Sequence, residues 1–347
     1  MTVIVNNSVP EVEVTSHQQS ANISPPLRMV ATLGKAMGDD LRLNVLRLLS
    51  TESLGVLELT HILDTRQSGL SHHLKVLANA GLVSKRREGN SIFYRRALPP
   101  TDATHSLLIQ ALFEAIDETP LAAVHQERLH EIRLSRAELS RAFFSRHAQV
   151  FQHHQELIAE HELYARTVLE MIAHTDGGSN KRHSVIEIGP GEGLFLPILS
   201  QRFERVIALD NSREMLERAR KYAQKANAVN IDYRLGELTT LADEGLSVDC
   251  MIANMVLHHV PAPAAIFREA ATLLRPGANL FISELSHHDQ EWVKETCGDL
   301  WLGFSTEELS GWAKAAGLET GEAQYLGLRN GFQVQVRQFY RQRSSKE

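Results

Sequence analysis

Cysteine is scarce: the chain has only Cys250 and Cys297. Two thiols cannot make a disulfide scaffold, and unpaired thiols are usual in the cytosol. No apolar run approaches the roughly 20 residues that span a bilayer, so no membrane partner is expected. The opening MTVIVNNSVPEVEVTSH has no basic flank followed by an apolar core, so no signal peptide is expected either. The expected compartment is a bacterial-type cytoplasm. Internal repeats are missing. A content of 43% hydrophobic and 22% charged residues excludes a wholly disordered or collagen-like chain.

A length of 347 residues predicts about two domains. The net charge of −6 hides an asymmetry: residues 27–98 carry 11 Lys+Arg against 6 Asp+Glu, and the rest is acidic. A small basic module on an acidic body predicts that only the module meets a polyanion.

Residues 1–26 show no periodicity and are expected to be a flexible tail. Met29, Leu33 and Met37 then share one helical face. Asp39 or Asp40 caps a second helix carrying Leu41, Val45, Leu48 and Leu49. Further helices are predicted over about 56–63 and 66–80, the latter ended by Gly81. LVSKRR and SIFYRRA flank the turn Glu88-Gly89-Asn90, a hairpin pattern. Helices followed by a basic hairpin describe an α+β winged helix-turn-helix over 27–98. Residues 99–139 read as a helical linker and dimerisation region, with Leu107, Leu108, Ala111 and Leu112 on one apolar face. A charged stretch runs from His125 to Arg141. Phe143, Phe144, Val150 and Phe151 then signal a new core, so the junction is placed near residue 140 and the second domain over 140–347.

From residue 184 strands and helices alternate, from SVIEIG through RVIALD, NIDYRL and VDCMIANM to NLFISEL. That alternation predicts a mostly parallel α/β sheet of Rossmann-like type. YLGLRNGFQVQVRQFYR reads as an antiparallel hairpin that closes it.

In the basic module, the second helix of the helix-turn-helix is expected in the major groove. Arg66, Gln67, Ser68, Ser71, His72 and Lys75 are its candidate base-edge and backbone contacts, with His73 beside them. Among Lys85, Arg86, Arg87, Arg95 and Arg96 of the hairpin, Arg86, Arg87 and Arg95 are the candidate phosphate contacts, although alternation keeps some away from DNA. A protein-binding winged helix with a solvated basic face is the other reading of the same residues. The segment GVLELTHILDTRQSGLSHHLKVLANAGLVSKRREGNSIFYR resembles the ArsR/SmtB winged-helix repressors over about 28–98, notably in SHHLKVL, AGLV and the wing. That resemblance implies a homodimer on a palindromic double-stranded operator, with repression lifted by a signal.

Many such relatives sense metal through paired cysteines. Here Gly55 and Leu57 stand at the aligned positions, and neither can be a thiolate ligand. Asp102 and His105 lack a matching second pair. His125, His130, His153, His154 and His161 read as solvated helix side chains, so no metal is expected.

The sharpest small-molecule signal is VIEIGPGEG, in which a buried strand runs into Gly189-Pro190-Gly191-Glu192-Gly193 and then a helix. Glycines there let backbone approach a ligand. Leu194 breaks the dinucleotide spacing, which argues against NAD. Glu187 precedes the glycines, Asp210 ends the next strand with Asn211 behind it, and Gly236-Glu237-Leu238 follows the third strand. Asn254 ends the fourth. With NMVLHHV, LLRPG and the terminal hairpin, these residues resemble the class I S-adenosylmethionine-dependent methyltransferases from about 140 to 347. The resemblance implies that Gly189 and Gly191 pack on the methionyl part, Asp210 holds the ribose, Glu237 neighbours adenine and Glu187 meets the amino group. A pocket kept only as a fold element is the alternative.

His258 and His259 are candidate catalytic bases at a strand end, with His287 and His288 behind the next strand; each could instead be structural. The combination of both halves, with EWVKETCGDLWLGFSTEELSGWAKAAGL, resembles bacterial regulators that respond to S-adenosylhomocysteine and control methionine metabolism. Two functions follow from that. One is a repressor whose methyltransferase-like domain binds S-adenosylmethionine or S-adenosylhomocysteine as effector. The other is an active small-molecule methyltransferase with an autoregulatory DNA-binding domain. A nucleic-acid methyltransferase is disfavoured by the lack of an aromatic base-flipping motif near NMVL.

Overall fold

The structure, a computed structural model, describes residues 24–88, 91–99, 105–147, 151–175 and 182–343. Most of the expected tail, the turn residues 89–90, Asp102 and Val150 lie outside them. The N-terminal unit consists of α1 (Pro25–Met37), α2 (Asp40–Leu48), β1 (Leu54–Gly55), α3 (Val56–Leu63), α4 (Gln67–Asn79), β2 (Val83–Glu88) and β3 (Ser91–Arg96). Pro25 and Pro26, expected within the tail, instead open α1, where proline's missing N–H has no helical partner to lose. Asp39 is the cap of α2: its side chain accepts from Arg42 N at 3.0 Å. The three strands pair in the order β1-β3-β2. Leu46, Leu59, Ile62, Leu70, Leu74 and Leu77 fill the core between helices and sheet.

α5 (Ser106–Glu118) buries Ile109, Phe113 and Ile116 in that core, while Leu107 is 77% and Leu108 39% exposed. The ridge that packs inward is therefore rotated from the face expected in the sequence. After a short connection over 119–122, α6 (Ala123–His147) runs unbroken through residue 140, so the expected junction falls inside one helix. Its Leu129 belongs to the winged-helix core.

The C-terminal unit runs α7 (Phe151–Ile158), α8 (His161–Thr175), β4 (Arg182–Ile188), α9 (Leu196–Arg202), β5 (Phe203–Asp210), α10 (Arg213–Lys225), β6 (Ile231–Leu235), α11 (Leu238–Asp243), β7 (Val248–Asn254), α12 (Pro263–Leu273), β8 (Leu274–Leu285), α13 (Trp292–Thr296), α14 (Thr306–Ala315), β9 (Glu319–Gly327) and β10 (Gln333–Tyr340). One seven-stranded sheet has the order β6-β5-β4-β7-β8-β10-β9. Its first five strands are parallel, and β10 is antiparallel to β8 and β9. This is the Rossmann-like sheet with a terminal antiparallel hairpin.

Both sheet faces are covered, which is why the strands read as continuous apolar runs. Val185, Val206 and Ile252 pack toward α8, α9 and α10, whereas Ile186, Ile207 and Met251 pack toward α11, α12 and α14. β4 has β5 on one side and β7 on the other, and chain direction around the sheet reverses there. Open α/β sheets bind ligands at the strand ends beside such a point. No helix among the described residues is long and apolar enough to cross a membrane.

Candidate ligand pocket and nucleic-acid interface

The loop after β4 is shaped by its glycines. Gly189 has φ +62°, and a Cβ there would lie 2.4 Å from Val256 Cγ2. Gly193 has φ +83°, and a Cβ would lie 2.7 Å from the Ala219 backbone of α10. The first glycine lets the loop pass the end of β7, and the second lets it close onto α10.

The strand ends enclose a cavity of about 440 Å³, within the range of about 300–1,000 Å³ usual for small-molecule sites. Glu187, Gly189, Pro190, Gly191, Asp210, Asn211, Gly236, Glu237, Leu238 and Asn254 all line it. Gly193 does not; its place is the packing on α10.

Glu187 is buried at the end of β4, and its Oε2 has no hydrogen-bond partner. Burial pushes its carboxyl up to about 8. Asp210 is pushed up to about 7 by burial, against the pull of the Ser212 and Asn211 backbone N–H groups. Asn254 accepts from Ser283 Oγ at 2.9 Å and keeps its Nδ2 without a partner. An orphaned carboxylate suits an aminium group, and a carboxylate at the tip of β5 suits a vicinal diol. This donor set fits an S-adenosyl amino acid.

The far wall of the cavity was not foreseen. It is α6, which contributes His130, Arg133, Leu134, Ala137, Ser140 and Phe144. Their spacing of three and four residues puts them on one helical face, the only sign available in the sequence. The same helix grips the winged helix. Arg133 pairs with the buried Glu52. Arg136 Nε and Nη2 reach the Glu58 carboxylate at 2.9 and 2.6 Å. Arg136 also donates to Ser53 O at 3.0 Å and to Pro261 O at 3.1 Å. Glu269 of α12 completes the wall beside Arg133. Burial and the neighbouring Glu237 push it up to about 7 while Arg268 and Arg133 oppose them.

The two candidate catalytic histidines separate. His258 does not line the cavity; its Nδ1 meets Glu284 Oε1 at 2.6 Å in the buried interior. Burial alone would lower it, but the carboxylates of Glu284 and Asp299 push it up to about 9. Beside these carboxylates and away from the cavity lining, His258 favours the charged imidazolium over the neutral base expected at this position. His259 lines the cavity, and burial and the charge on His258 hold it well below the usual range, so it is neutral. His287 and His288 are not among the lining residues; His287 Nδ1 donates to Leu302 O at 3.1 Å, and His288 packs edge-on to Phe332. His258, His259 and Asp299 bring ligand-type atoms within 4.8 Å of one another.

Arg66, the N-cap of α4, and Gln67, Ser68, Ser71, His72 and Lys75 on α4 are all exposed. His73 turns inward to Arg42 Nη1 at 3.1 Å and Asp39 Oδ1 at 3.4 Å. The hairpin sorts its basic residues by face. Lys85 and Arg87 are exposed, whereas Arg86 and Arg95 turn toward the C-terminal unit. Arg95 Nη1 meets Glu308 Oε1 at 2.7 Å, and Arg86 Nη1 donates to Gly303 O at 2.9 Å. Arg86 and Arg95, expected as phosphate contacts alongside Arg87, are thus engaged by the C-terminal unit in this arrangement. Arg96 forks onto Asp117 of α5 at 2.8 and 2.7 Å.

A basic winged helix-turn-helix ahead of a sheet with a glycine-loop cavity is a two-part architecture, and comparison with known proteins identifies both parts. Residues 39–85 match the family described as bacterial regulatory protein, arsR family, and residues 186–282 match the methyltransferase domain family. The chain joins an arsR-family helix-turn-helix to a methyltransferase domain. It is 33% identical over 141 residues to a ubiquinone biosynthesis O-methyltransferase of Idiomarina loihiensis, a match covering 40% of this chain and 54% of that protein. It is 38% identical over 104 residues to an uncharacterized 37.1 kDa protein in transposon TN4556 of Streptomyces fradiae, covering 29% of this chain and 30% of the other. The chain thus spans about half or less of these relatives' lengths. Among solved structures, magnesium protoporphyrin IX methyltransferase from Synechocystis PCC 6803 with bound SAH is similar at 19% identity and a TM-score of 0.43. That match covers 52% of this chain and 83% of the other.

Proposed function

We propose that the chain is a homodimeric DNA-binding transcriptional repressor of the bacterial cytoplasm, and that its methyltransferase domain binds S-adenosylmethionine or S-adenosylhomocysteine as effector. One observation carries this reading: α6 lines the cavity with Arg133 and holds Glu52 of the winged helix with the same side chain. A ligand that moves this helix acts on the DNA-reading unit. Coupling requires only that the ligand prefer one of two arrangements.

In this reading Glu187 takes the ligand's amino group, Asp210 the ribose hydroxyls and Glu237 the adenine edge. Gly189, Pro190, Gly191, Asn211, Gly236, Leu238 and Asn254 complete the cradle. The exposed residues at the start of and along α4, Arg66, Gln67, Ser68, Ser71, His72 and Lys75, read the operator, and Arg87 meets phosphate. Leu27 and Val30 of α1 and Leu107 and Leu108 of α5 leave large apolar side chains exposed, which supports a second copy as their cover.

A second reading, methyl transfer to a small molecule, is favoured by His259. It is neutral, it lines the cavity with Asn254 and Met255, and it could take a proton from an acceptor hydroxyl. S-adenosylmethionine supplies an activated methyl group when bound; the chain's task would be to position the acceptor.

The test is a gel shift of ligand-stripped protein on the DNA upstream of its own gene, with and without each compound. A shift that responds to one of them supports the repressor. DNA binding indifferent to both, with methyl transfer to an added acceptor, favours the enzyme.

A further inference from the structure

Arg86 and Arg95 stand on different strands of the wing but on the same face of it. Both reach one carboxylate oxygen of the C-terminal unit: Arg95 Nη1 lies 2.7 Å and Arg86 Nη1 3.5 Å from Glu308 Oε1. The Glu308 side chain is only 4% exposed. The guanidinium of Arg86 also lies 5.6 Å from the Phe304 ring centroid and 5.8 Å from that of Trp301. An oxyanion gripped by two guanidinium groups offers the same charge and acceptor chemistry as a DNA phosphate.

We propose that Glu308 is an intramolecular stand-in for DNA phosphate. The docked wing and the DNA-engaged wing are then alternative states that share Arg86 and Arg95. This rests on the reading of the winged helix as DNA-binding and adds to it a means of control.

A short segment links this latch to the cavity. His259 lines the cavity, and its Nδ1 donates to Gly298 O at 3.3 Å. The backbone N–H groups of Leu300 and Trp301 donate to His258 O at 2.9 and 3.2 Å, and Trp301 Nε1 donates to Val260 O at 2.8 Å. The same segment then presents Gly303 O to Arg86 and enters α14. There Glu308 Oε2 accepts from Ser305 N at 2.7 Å as part of the capping box. One Glu308 oxygen caps α14 while the other holds the wing. A displacement of His259 and Val260 at the cavity wall, with His258 behind them, therefore moves the carboxylate relative to the two arginines.

The test compares full-length wild type, E308Q and the double variant R86A/R95A on labelled duplexes, over about 50 to 200 mM salt. Glutamine at this position keeps the capping box, so α14 is retained while the ion pair is lost. Circular dichroism of each variant checks the fold. Undocking limits wild-type affinity by the undocked fraction, so an undocked fraction of about a tenth predicts about tenfold tighter binding by E308Q. R86A/R95A should flatten the plot of log affinity against log salt by up to about 1.8, roughly 0.9 for each phosphate that is no longer neutralised. On DNA that wild type binds, an E308Q variant of equal or weaker affinity overturns the latch, as does an unchanged slope in R86A/R95A. Binding by E308Q where wild type binds nothing supports it. If neither form binds any duplex at low salt, the DNA-binding reading falls and the latch with it, and wild type's own titration tells the two failures apart.

Discussion

Arg136 of the helix that walls the cavity forks onto Glu58, the residue that caps the helix preceding the recognition helix. Glu58 accepts from Arg136 with one oxygen at 2.9 Å and the other at 2.6 Å, and it also accepts from Gly55 N at 2.7 Å. The end of α3 is therefore built partly by a residue of α6. Arg136→Ala should lower stability by about 1–3 kcal/mol, the cost of leaving a partly buried charged acceptor short of donors. It should also reduce the response of DNA binding to ligand. Thermal melts and gel shifts with and without S-adenosylhomocysteine check both. A full ligand response in R136A would mean that the coupling does not pass through this contact.

Gly189→Ala should abolish or strongly weaken ligand binding. The added Cβ meets Val256 Cγ2 at 2.4 Å, and the left-handed backbone disfavours any side chain, by about 1–2 kcal/mol. Calorimetry on the folded variant reads this directly. Unchanged affinity would place the adenosyl group elsewhere.

Arg66→Ala with Gln67→Ala should weaken operator binding and relax its sequence preference. Each bidentate base contact removed is worth about 1–3 kcal/mol of discrimination. Competition gel shifts with single-base operator variants check it. A uniform loss across all sequences would assign the two residues to the backbone instead.

The His258–Glu284 pair predicts a pH dependence of stability. His258 is raised in the folded chain from its ordinary 6.5 to about 9. Its contribution is complete below the unfolded value and is lost as pH rises through the folded one. The melting temperature should therefore fall between about pH 6.5 and 9, and Glu284→Gln should flatten that fall. A wild-type profile with no slope in this window would show that His258 is not the buried cation described.

The local parts of this architecture were legible in the sequence. The caps, the helix-turn-helix, the hairpin and the glycine loop each follow from neighbours within a few residues. The exposure of Gln67, Ser68, Ser71, His72 and Lys75 on α4 was readable because three buried leucines, Leu70, Leu74 and Leu77, fix its inward face. α6 was not readable as a cavity wall. It packs on the winged helix with Leu129 and on the cavity with Leu134, Ala137 and Phe144, so its apolar residues are spread round the helix and form no single stripe. The docking of the wing was hidden for another reason. Arg86 and Glu308 are 222 residues apart, and no periodicity within either segment reports a partner at that separation. The split between His258 and His259 likewise depends on Glu284, contributed by the neighbouring strand.

The central claim is that cavity and recognition helix are thermodynamically linked. The direct measurement is calorimetric titration of S-adenosylhomocysteine, and separately of S-adenosylmethionine, into ligand-stripped protein alone and into its complex with operator DNA. Linkage is reciprocal, so the account predicts that DNA changes the affinity of one compound by a factor on the order of 5–150, matching that compound's effect on DNA affinity. Identical affinities with and without DNA for both compounds would contradict it and leave two domains that share a helix without communicating through it.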